Sequence, residues 1–429
     1  MASLGAAGGE PLTPLAPLTP LALGHAVRAE LALDYVNLNH GSFGVCPRSV
    51  LAAQSALRLE QERRPDVWFR ATYRALLNET AALVAEQVRA PGGAACVALV
   101  ENASAAVNGL LRSLPLRAGD VLVYFSVAYN MVKNTAQWLC ATQGVEVVEV
   151  AVEWPIAAGD EELAFSRPLQ RALEALPAAR LARVQAVMLD HIVSVPAVVQ
   201  PVAALAVLVK RLAPQALVLV DGAHAWGQLP GLDLSQLGPI DAYLANAHKW
   251  LFAPKGSAFM WLRADKVSPL FPEPTVVSSE NARGTLFRSR FDYVGTRDYT
   301  AVLALRAALD FRTRLGGDQA IYDYAHGLAL SAGDLLARAW NTRLLAPPHM
   351  HAMMFNVVLP TQDFARADRM QKWLLEHHNV YMIVLTEPRS GIVYTRLSAT
   401  AYLELSDFDQ LAQLVLNYLA GQDVELAAK

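Results

Sequence analysis

The sequence predicts an α/β fold in which a mostly parallel sheet forms a large domain and a smaller α/β domain follows it. Short apolar runs at residues 187–189 and 217–220 each end abruptly on an acid, Asp190 and Asp221 respectively. Segments with helical periodicity separate such runs along the chain. Apolar runs of this kind are typical of buried parallel strands, and ligands bind outside the carboxyl ends of such strands.

The composition sets limits on the class of protein. The 429 residues are enough for a large and a smaller domain, and 54% of them are hydrophobic while 17% are charged. The net charge is −3 without a basic patch, so we expect no nucleic-acid partner. No apolar run has the length of a membrane span, so we expect no membrane partner either.

The cysteines are few and odd in number. Cys46, Cys96 and Cys140 include no CxxC pair, which argues against a disulfide scaffold and against a metal site of the zinc type. We therefore expect no metal and a reducing compartment, the cytoplasm.

The N-terminal segment is rich in Pro, Ala and Leu, and its repeated prolines prevent a continuous helix. We expect residues 1–30 to be a disordered tail, residues 31–305 to form the large domain and residues 306–429 to form the small domain. We also expect the N-terminal segment of the large domain to contribute to the small domain. The tail is a poor secretory signal, and a plastid or mitochondrial address is the minority interpretation.

The remaining elements follow from the same patterns. A short strand and a turn-rich loop are expected at residues 35–47, and a helical stretch broken at Pro65 covers residues 48–90. Further strands are expected at residues 96–100, 146–152 and 355–359, and further helices at 168–176, at 202–212 and after 300.

Two neighbouring strand ends organise the chemistry. DGAHAWGQ places Asp221 at one strand end, and NAHKW places Lys249 at another. Taken singly, an Asp there is often a cap or turn residue and a Lys is usually solvated. As an ordered pair they indicate imine chemistry with a carbonyl cofactor, because a site for pyridoxal phosphate (PLP) needs a lysine and an acid for the pyridinium nitrogen.

A possible phosphate site follows the strand at residues 96–100. In ENASAAVNGLLRSL, small residues and a hydroxyl open an amphipathic helix. The free N–H groups of a helix N-terminus can bind phosphate, although an ordinary Asn or Ser cap explains the local pattern equally well.

DGAHAWGQ followed by NAHKWLFAPKG resembles the class V aminotransferase superfamily of PLP-dependent, fold type I enzymes. The resemblance extends from about residue 37 to residue 402. NLNHGSFGVCPRSV, LDHIVSVPAVVQPV and VGTRDYT are similar to the branch of L-cysteine desulfhydrase-like and isopenicillin N epimerase-like proteins. The resemblance implies an α/β fold of type I and PLP as the cofactor.

The resemblance also implies roles for residues around the cofactor ring. Lys249 would bind the cofactor covalently, Asp221 would pair with its pyridinium nitrogen, and His224 would reach its phenolic oxygen. Ser194 would lie near the same oxygen. Tyr129 would stack on the ring, although a lone Tyr at such a place is more often a packing residue.

The phosphate would be held by four residues, Ala103, Ser104, Asn246 and His248. Asn246 replaces the Ser of the relatives, which weakens the assignment of its role.

Three further contacts are implied by the resemblance. Thr296 would cross a dimer interface to the neighbour's phosphate, which makes a homodimer the expected assembly; the alternative is a turn with a helix cap. Arg396 would clamp the substrate α-carboxylate, and a surface Arg is the local alternative. Asn39 and His40 would contact the substrate.

The expected reaction is elimination of sulfide from L-cysteine, with pyruvate and ammonia as the other products. A lyase for a larger sulfur amino acid, as in ergothioneine synthesis, an amino-acid epimerase and an aminotransferase share the same cofactor residues and stay open. A cysteine desulfurase is disfavoured because its nucleophilic Cys lies between the cofactor Lys and the substrate Arg. No Cys lies between Lys249 and Arg396. A scaffold without activity is disfavoured by the presence of Lys249, Asp221 and His248.

Overall fold

Seven short segments form the central sheet, and all of them except the edge strand Glu146–Val150 are apolar and almost entirely buried, as expected for strands that helices cover on both faces. The computed structural model describes residues 19–161, 163–268, 271–278 and 287–421. The strands are β1 (Val36–Asn37), β2 (Val97–Val100), β3 (Val121–Phe125), β4 (Glu146–Val150), β5 (Val184–Asp190), β6 (Leu217–Asp221), β7 (Ala242–Asn246), β8 (Ala258–Leu262), β9 (Met354–Val358), β10 (Val380–Tyr381), β11 (Ile383–Thr386) and β12 (Val393–Ser398).

The helices connect the strands and cover the sheet. They are α1 (His40–Phe43), α2 (Arg48–Arg63), α3 (Pro65–Val67), α4 (Tyr73–Gln87), α5 (Ala103–Ser113), α6 (Asn130–Gln143), α7 (Leu163–Glu174), α8 (Ala178–Leu181), α9 (Val202–Leu212), α10 (Ala247–Trp250), α11 (Ser289–Asp292), α12 (Thr300–Leu303), α13 (Leu305–Arg314), α14 (Gly317–Ala339), α15 (Phe364–His378) and α16 (Leu405–Ala420). One π-helical turn, Trp68–Thr72, joins α3 to α4.

The sheet order is β2-β8-β7-β6-β5-β3-β4. Strands β3 to β7 are mutually parallel, and only β8 runs against its neighbours β2 and β7. The carboxyl ends of β5, β6 and β7 therefore meet at one edge, where their last residues are Asp190, Asp221 and Asn246.

The C-terminal part of the chain forms a separate, antiparallel sheet of order β11-β12-β9, packed against α14, α15 and α16. The N-terminal segment joins this part, because β1 pairs in parallel with β10. Strand β12 delivers Arg396 toward the edge of the large sheet, where it bonds Ser194.

The end of the expected tail is ordered, which corrects that prediction for residues 19–30; residues 1–18 lie outside the described part. His25–Glu30 form a 3₁₀ helix, and the side chain of Val27 is fully buried. Arg28 Nη2 donates to Asp407 Oδ1 at 2.7 Å. The buried Val27 side chain and the ion pair between Arg28 and Asp407 hold this segment in place. Asp407 lies at the start of α16, far from this segment in the sequence.

In the part of the chain that the structure describes, we find no helix that combines the length and the apolar character of a membrane span.

Candidate active site

A cavity of about 190 Å³ opens at the edge where β5, β6 and β7 end. Nine of the thirteen residues predicted for the site line it. They are Ala103, Ser104, Tyr129, Ser194, Asp221, His224, Asn246, His248 and Lys249. Residues up to 146 positions apart in sequence (Ala103 and Lys249) are thus brought to one place by the sheet.

Lys249 lies on α10, directly after β7, and its Nζ lies 2.9 Å from Nε2 of His224. Burial lowers the pKa of Lys249 to about 7; the charge of Asp221 opposes the shift and that of Arg396 adds to it. A lysine of which about half is neutral at pH 7 can act as a nucleophile toward a carbonyl or as a general base.

His224 is neutral in this environment. Burial, followed by the charge of Lys249, holds its pKa well below the usual range. Its Nδ1 is buried and has no hydrogen-bond partner among the described residues. An unsatisfied buried nitrogen on the cavity wall fits a ligand with a polar oxygen, such as the phenolic oxygen of PLP.

Asp221 is 5% exposed, and its Oδ1 accepts a hydrogen bond of 2.9 Å from the Ala223 N–H. Burial raises the pKa of this carboxyl, while the Ala223 N–H and Lys249 act against the rise. The structure gives Asp221 no ion pair within 4 Å among its described residues. A buried acid of this kind fits a ligand that brings its own cation, such as a protonated pyridine nitrogen.

The end of the cavity that is predicted to bind phosphate lies at the start of α5. Asn102 caps this helix by accepting from the Ala105 N–H at 2.8 Å, and Asn246 accepts from the Ala103 N–H at 2.9 Å. The Ala103 amide is therefore already satisfied by Asn246. Ser104 lies in the cavity wall, and its hydroxyl has no hydrogen bond to any of the described residues. His248 completes this end, and burial lowers its pKa to about 4.

Tyr129 immediately precedes α6 and remains 51% exposed on the cavity wall. A large ring left half-exposed beside a cavity fits a stacking partner, and the pyridine ring of PLP has the required flat face.

Arg396 is 2% exposed and lies directly behind the cavity wall. Its Nη2 donates to Oδ1 of Asn39 at 2.6 Å and to Oγ of Ser42 at 2.7 Å, and its Nη1 donates to the Ser194 carbonyl at 3.0 Å. Burial lowers the pKa of Arg396 to about 10, so it remains cationic at neutral pH. A substrate carboxylate would have to replace Asn39 or Ser42 on this guanidinium.

His40 and Thr296 lie outside the cavity wall. His40 is 1% exposed, its ring lies 4.9 Å from that of Trp250, and its Nδ1 lies 3.1 Å from the Tyr402 hydroxyl. It supports α10 from beneath, which differs from the expected substrate contact. Thr296 is exposed and its Oγ1 lies 2.6 Å from the Tyr293 hydroxyl.

Seven residues of the cavity wall were not among the predicted site residues: Ser42, Phe43, Asn102, Met131, Asp190, Ile192 and Ala223. Asp190 ends β5 as Asp221 ends β6, so the repeated pattern of an apolar run closed by an acid is a signal that could have identified it. Ser42 lies on α1, and its place in the site depends on how that short helix packs, for which the sequence has no such signal.

Comparisons with known proteins agree with this geometry. No protein-family model matches the chain. A rice protein (Oryza sativa subsp. japonica) with the provisional name L-cysteine desulfhydrase 2 is 35% identical over 78% of this chain and 70% of its own length. Isopenicillin N epimerase of Streptomyces clavuligerus is 30% identical over 92% of this chain and 98% of its own. Hercynylcysteine sulfoxide lyase of Schizosaccharomyces pombe is 26% identical, over 92% and 97%.

Solved structures show the same fold. The cystine C–S lyase C-DES, in complex with cysteine persulfide, matches with a TM-score of 0.73 and 20% identity over 89% of this chain and 97% of its own. A mutant of C-DES with glycine linked covalently to its PLP cofactor matches with a TM-score of 0.73 and 19% identity over 90% and 98%. These likenesses confirm the predicted fold class, a mostly parallel α/β fold of type I.

Proposed function

Because this chain belongs to the class V aminotransferase superfamily of PLP-dependent enzymes, in the branch that includes proteins named L-cysteine desulfhydrase, we propose that it is a C–S lyase. It converts L-cysteine to sulfide, pyruvate and ammonia. The observation that carries the proposal is that Lys249, whose amine has a pKa of about 7, lies in the same cavity wall as Asp221 and His224.

PLP, when bound, supplies an electron sink that stabilises negative charge at Cα of an amino acid. Lys249 would hold it covalently, Asp221 would bind its ring nitrogen, Tyr129 would cover its ring, and Ser104 and His248 would bind its phosphate.

Substrate binding and proton transfer are carried out by side chains of the protein. Arg396 binds the substrate carboxylate bidentately, through Nη2 in place of Asn39 or Ser42 and through Nε, which has no hydrogen-bond partner among the described residues. The Lys249 amine removes the Cα proton, and with a pKa of about 7 roughly half of such amines are free at neutral pH. The proton held at Nζ is then available to the departing sulfur, and His224 keeps Nζ in place through their 2.9 Å contact.

The cysteines favour elimination over sulfur transfer to the protein. None of Cys46, Cys96 and Cys140 lines the cavity that holds Lys249, although Cys46 lies in the wall of a neighbouring, larger cavity. Burial raises the pKa of Cys46 to about 11, which keeps it a poorly nucleophilic thiol. These free thiols also suit a reducing compartment, and we place the enzyme in the cytoplasm.

A lyase that acts on a larger sulfur amino acid is the second candidate, because a cavity of about 780 Å³ adjoins the site. The two cavities share Phe43 in their walls, and the larger one also contacts Asn39. A substrate side chain longer than that of cysteine could extend past Phe43 into this space.

One assay separates these functions. The purified protein is loaded with PLP and given a panel of sulfur amino acids while sulfide, keto acid, alanine and racemisation are measured together. Elimination requires sulfide and pyruvate in equal amounts from L-cysteine, and none from a Lys249→Ala variant. Racemisation or alanine formation without pyruvate would overturn the proposal, and preference for a longer substrate would select the second candidate.

We also propose that the active unit is a homodimer. The exposed Thr296 would reach the phosphate in the neighbouring subunit. Thr296→Val should then increase the rate at which PLP is lost on dialysis, whereas Thr313→Val, at an exposed position on α13, should not. Full activity from a demonstrated monomer would contradict the proposal.

A further inference from the structure

Asp190 is a buried acid that the mechanism above does not use. It is the last residue of β5, and its Cα is paired in register with that of Asp221 at the end of β6. The two residues are 6% and 5% exposed, and both line the cofactor cavity. Residues in register on adjacent parallel strands direct their side chains to the same face of the sheet, so the two carboxyls are neighbours.

Little positive charge compensates this pair. Lys133 on α6 is the cation that acts on Asp190, but its Nζ donates to the Ser126 carbonyl at 2.6 Å and lies 3.5 Å from Glu149. Within the described residues the structure shows no ion pair and no hydrogen-bond donor for the Asp190 carboxyl. Two adjacent carboxylates that are buried and unpaired cannot both be ionised at low cost.

The surroundings decide which of the two acids holds the proton. Asp221 receives the Ala223 N–H and faces the charge of Lys249, and both favour its ionised form. The pKa of Asp190 is raised well above the usual range, first by burial and then by the charge of Asp221. The nearby Tyr243 hydroxyl, whose pKa is also raised, lies 2.8 Å from His191 Nδ1 and is hydrogen-bonded to that ring, so it does not donate to either carboxyl.

We propose that Asp190 is a positioning residue that carries a proton at neutral pH and donates it in a hydrogen bond to Asp221. The pair then holds one negative charge, located on Asp221, which matches the single positive charge of a protonated pyridine nitrogen. The donated hydrogen bond also fixes the orientation of the Asp221 carboxylate. This inference rests on the proposed PLP site but not on the identity of the substrate.

The decisive measurement is infrared spectroscopy of the full-length, PLP-loaded protein with aspartate labelled with ¹³C at its side-chain carboxyl. A protonated aspartate gives a carbonyl band that a carboxylate lacks. We expect this band at pH 7 in the unmodified protein, its loss in Asp190→Asn, and its persistence in Asp120→Asn. Asp120 is a matched control, because it is also 6% exposed but pairs with Arg183 at 3.2 Å. Absence of the band from the unmodified protein, or its survival in Asp190→Asn, would overturn the proposal.

Cofactor affinity supplies a second test of the donated hydrogen bond. Asp190→Ala removes the donor and should weaken PLP retention roughly tenfold, while Asp190→Asn keeps a donor N–H and should recover most of that affinity. If Asn is as weak as Ala, donation to Asp221 is not the role of Asp190. Neither measurement involves an amino-acid substrate, so failure of the cysteine lyase assay leaves the inference standing, and the reverse also holds.

Discussion

At the scale of single residues, Lys249 is proposed to serve both as the covalent attachment point and as a base, and its environment determines whether it can serve as either. Burial disfavours the ammonium form, and the nearby Asp221 limits the shift, so the pKa settles at about 7. An exposed lysine would be almost fully protonated at neutral pH and therefore a poor base.

This balance predicts a pH dependence. Because the pKa of Lys249 is lowered, the free amine is present above about pH 7 and is lost as the pH falls through that value. The rate at which PLP attaches covalently to the cofactor-free protein should rise through a midpoint near pH 7. Asp221→Asn removes a charge that raises the pKa, so the midpoint should move to lower pH. Asp120→Asn should not move it, and a midpoint near the ordinary lysine pKa would contradict the assignment.

The substrate clamp predicts a split between kinetic parameters. Arg396→Lys keeps the charge but loses the planar fork that can bind a carboxylate through two N–H groups. We expect KM for L-cysteine to rise by roughly 10- to 100-fold, with little change in the absorbance of bound PLP. Arg89→Lys, in an exposed pair with Asp233, is the control. Unchanged KM in Arg396→Lys would place the carboxylate elsewhere.

The sequence anticipated those site residues that short motifs specify. Asp221, His224 and Lys249 follow directly from DGAH and AHK, and all three line the cavity. It did not anticipate Ser42 or the buried position of His40, because both depend on how α1 packs against α10 and β12. Such contacts join residues hundreds of positions apart and leave no local pattern.

At the scale of elements, the strands were predictable in place and type, but not their ends. The run at residues 187–189 is the centre of β5, which extends over Val184–Asp190. The helix expected at residues 168–176 is Leu163–Glu174, with Pro168 inside it. Burial of Phe165 on the same face as Leu169 and Leu173 extends this helix beyond the proline, which local rules treat as a boundary.

The contact of the loop after α1 with α10 requires a glycine. Gly44 has φ +67°, and a Cβ there would collide with the carbonyl oxygens of His248 and Lys249. Gly44→Ala should therefore lower the free energy of unfolding by about 3 kcal/mol, since neither backbone can yield easily.

The control for that substitution is Gly327→Ala in α14, where a Cβ meets open space. Alanine there should raise the free energy of unfolding, by at most about 1 kcal/mol. Chemical denaturation measures both values, and an equal effect at the two positions would show that the approach of the loop to α10 is not close.

At the scale of the whole molecule, the site draws on regions that are far apart in the chain. Arg396 on β12 bonds Asn39, which is 357 residues away, and Ser194 in the loop after β5. The position of Arg396 beside the cavity therefore depends on the large sheet and the C-terminal sheet keeping their relative positions. The N-terminal segment contributes to this arrangement through β1 and through Arg28, which bonds Asp407 at 2.7 Å.

The distribution of cysteines over the molecule leads to the last prediction. Cys46 and Cys96 are buried, at 7% and 4% exposure, and Cys140 lies on α6. A desulfurase needs a thiol that can reach the substrate sulfur, and none of the three lies in the cavity wall. A variant with all three changed to alanine should therefore still release sulfide and pyruvate from L-cysteine in equal amounts. Its stability should fall by about 1 kcal/mol for each buried position, because the thiols pack as small apolar groups.

Two readouts make that variant informative. Product analysis separates pyruvate from alanine, and mass spectrometry of the unmodified protein after turnover detects persulfide on any cysteine. Pyruvate as the keto product, without persulfide on the protein, is the expected result, because elimination requires only the amine of Lys249 and the cofactor. If alanine replaces pyruvate and turnover disappears with the cysteines, while circular dichroism shows a folded variant, one of these thiols accepts sulfur and the proposed elimination is wrong.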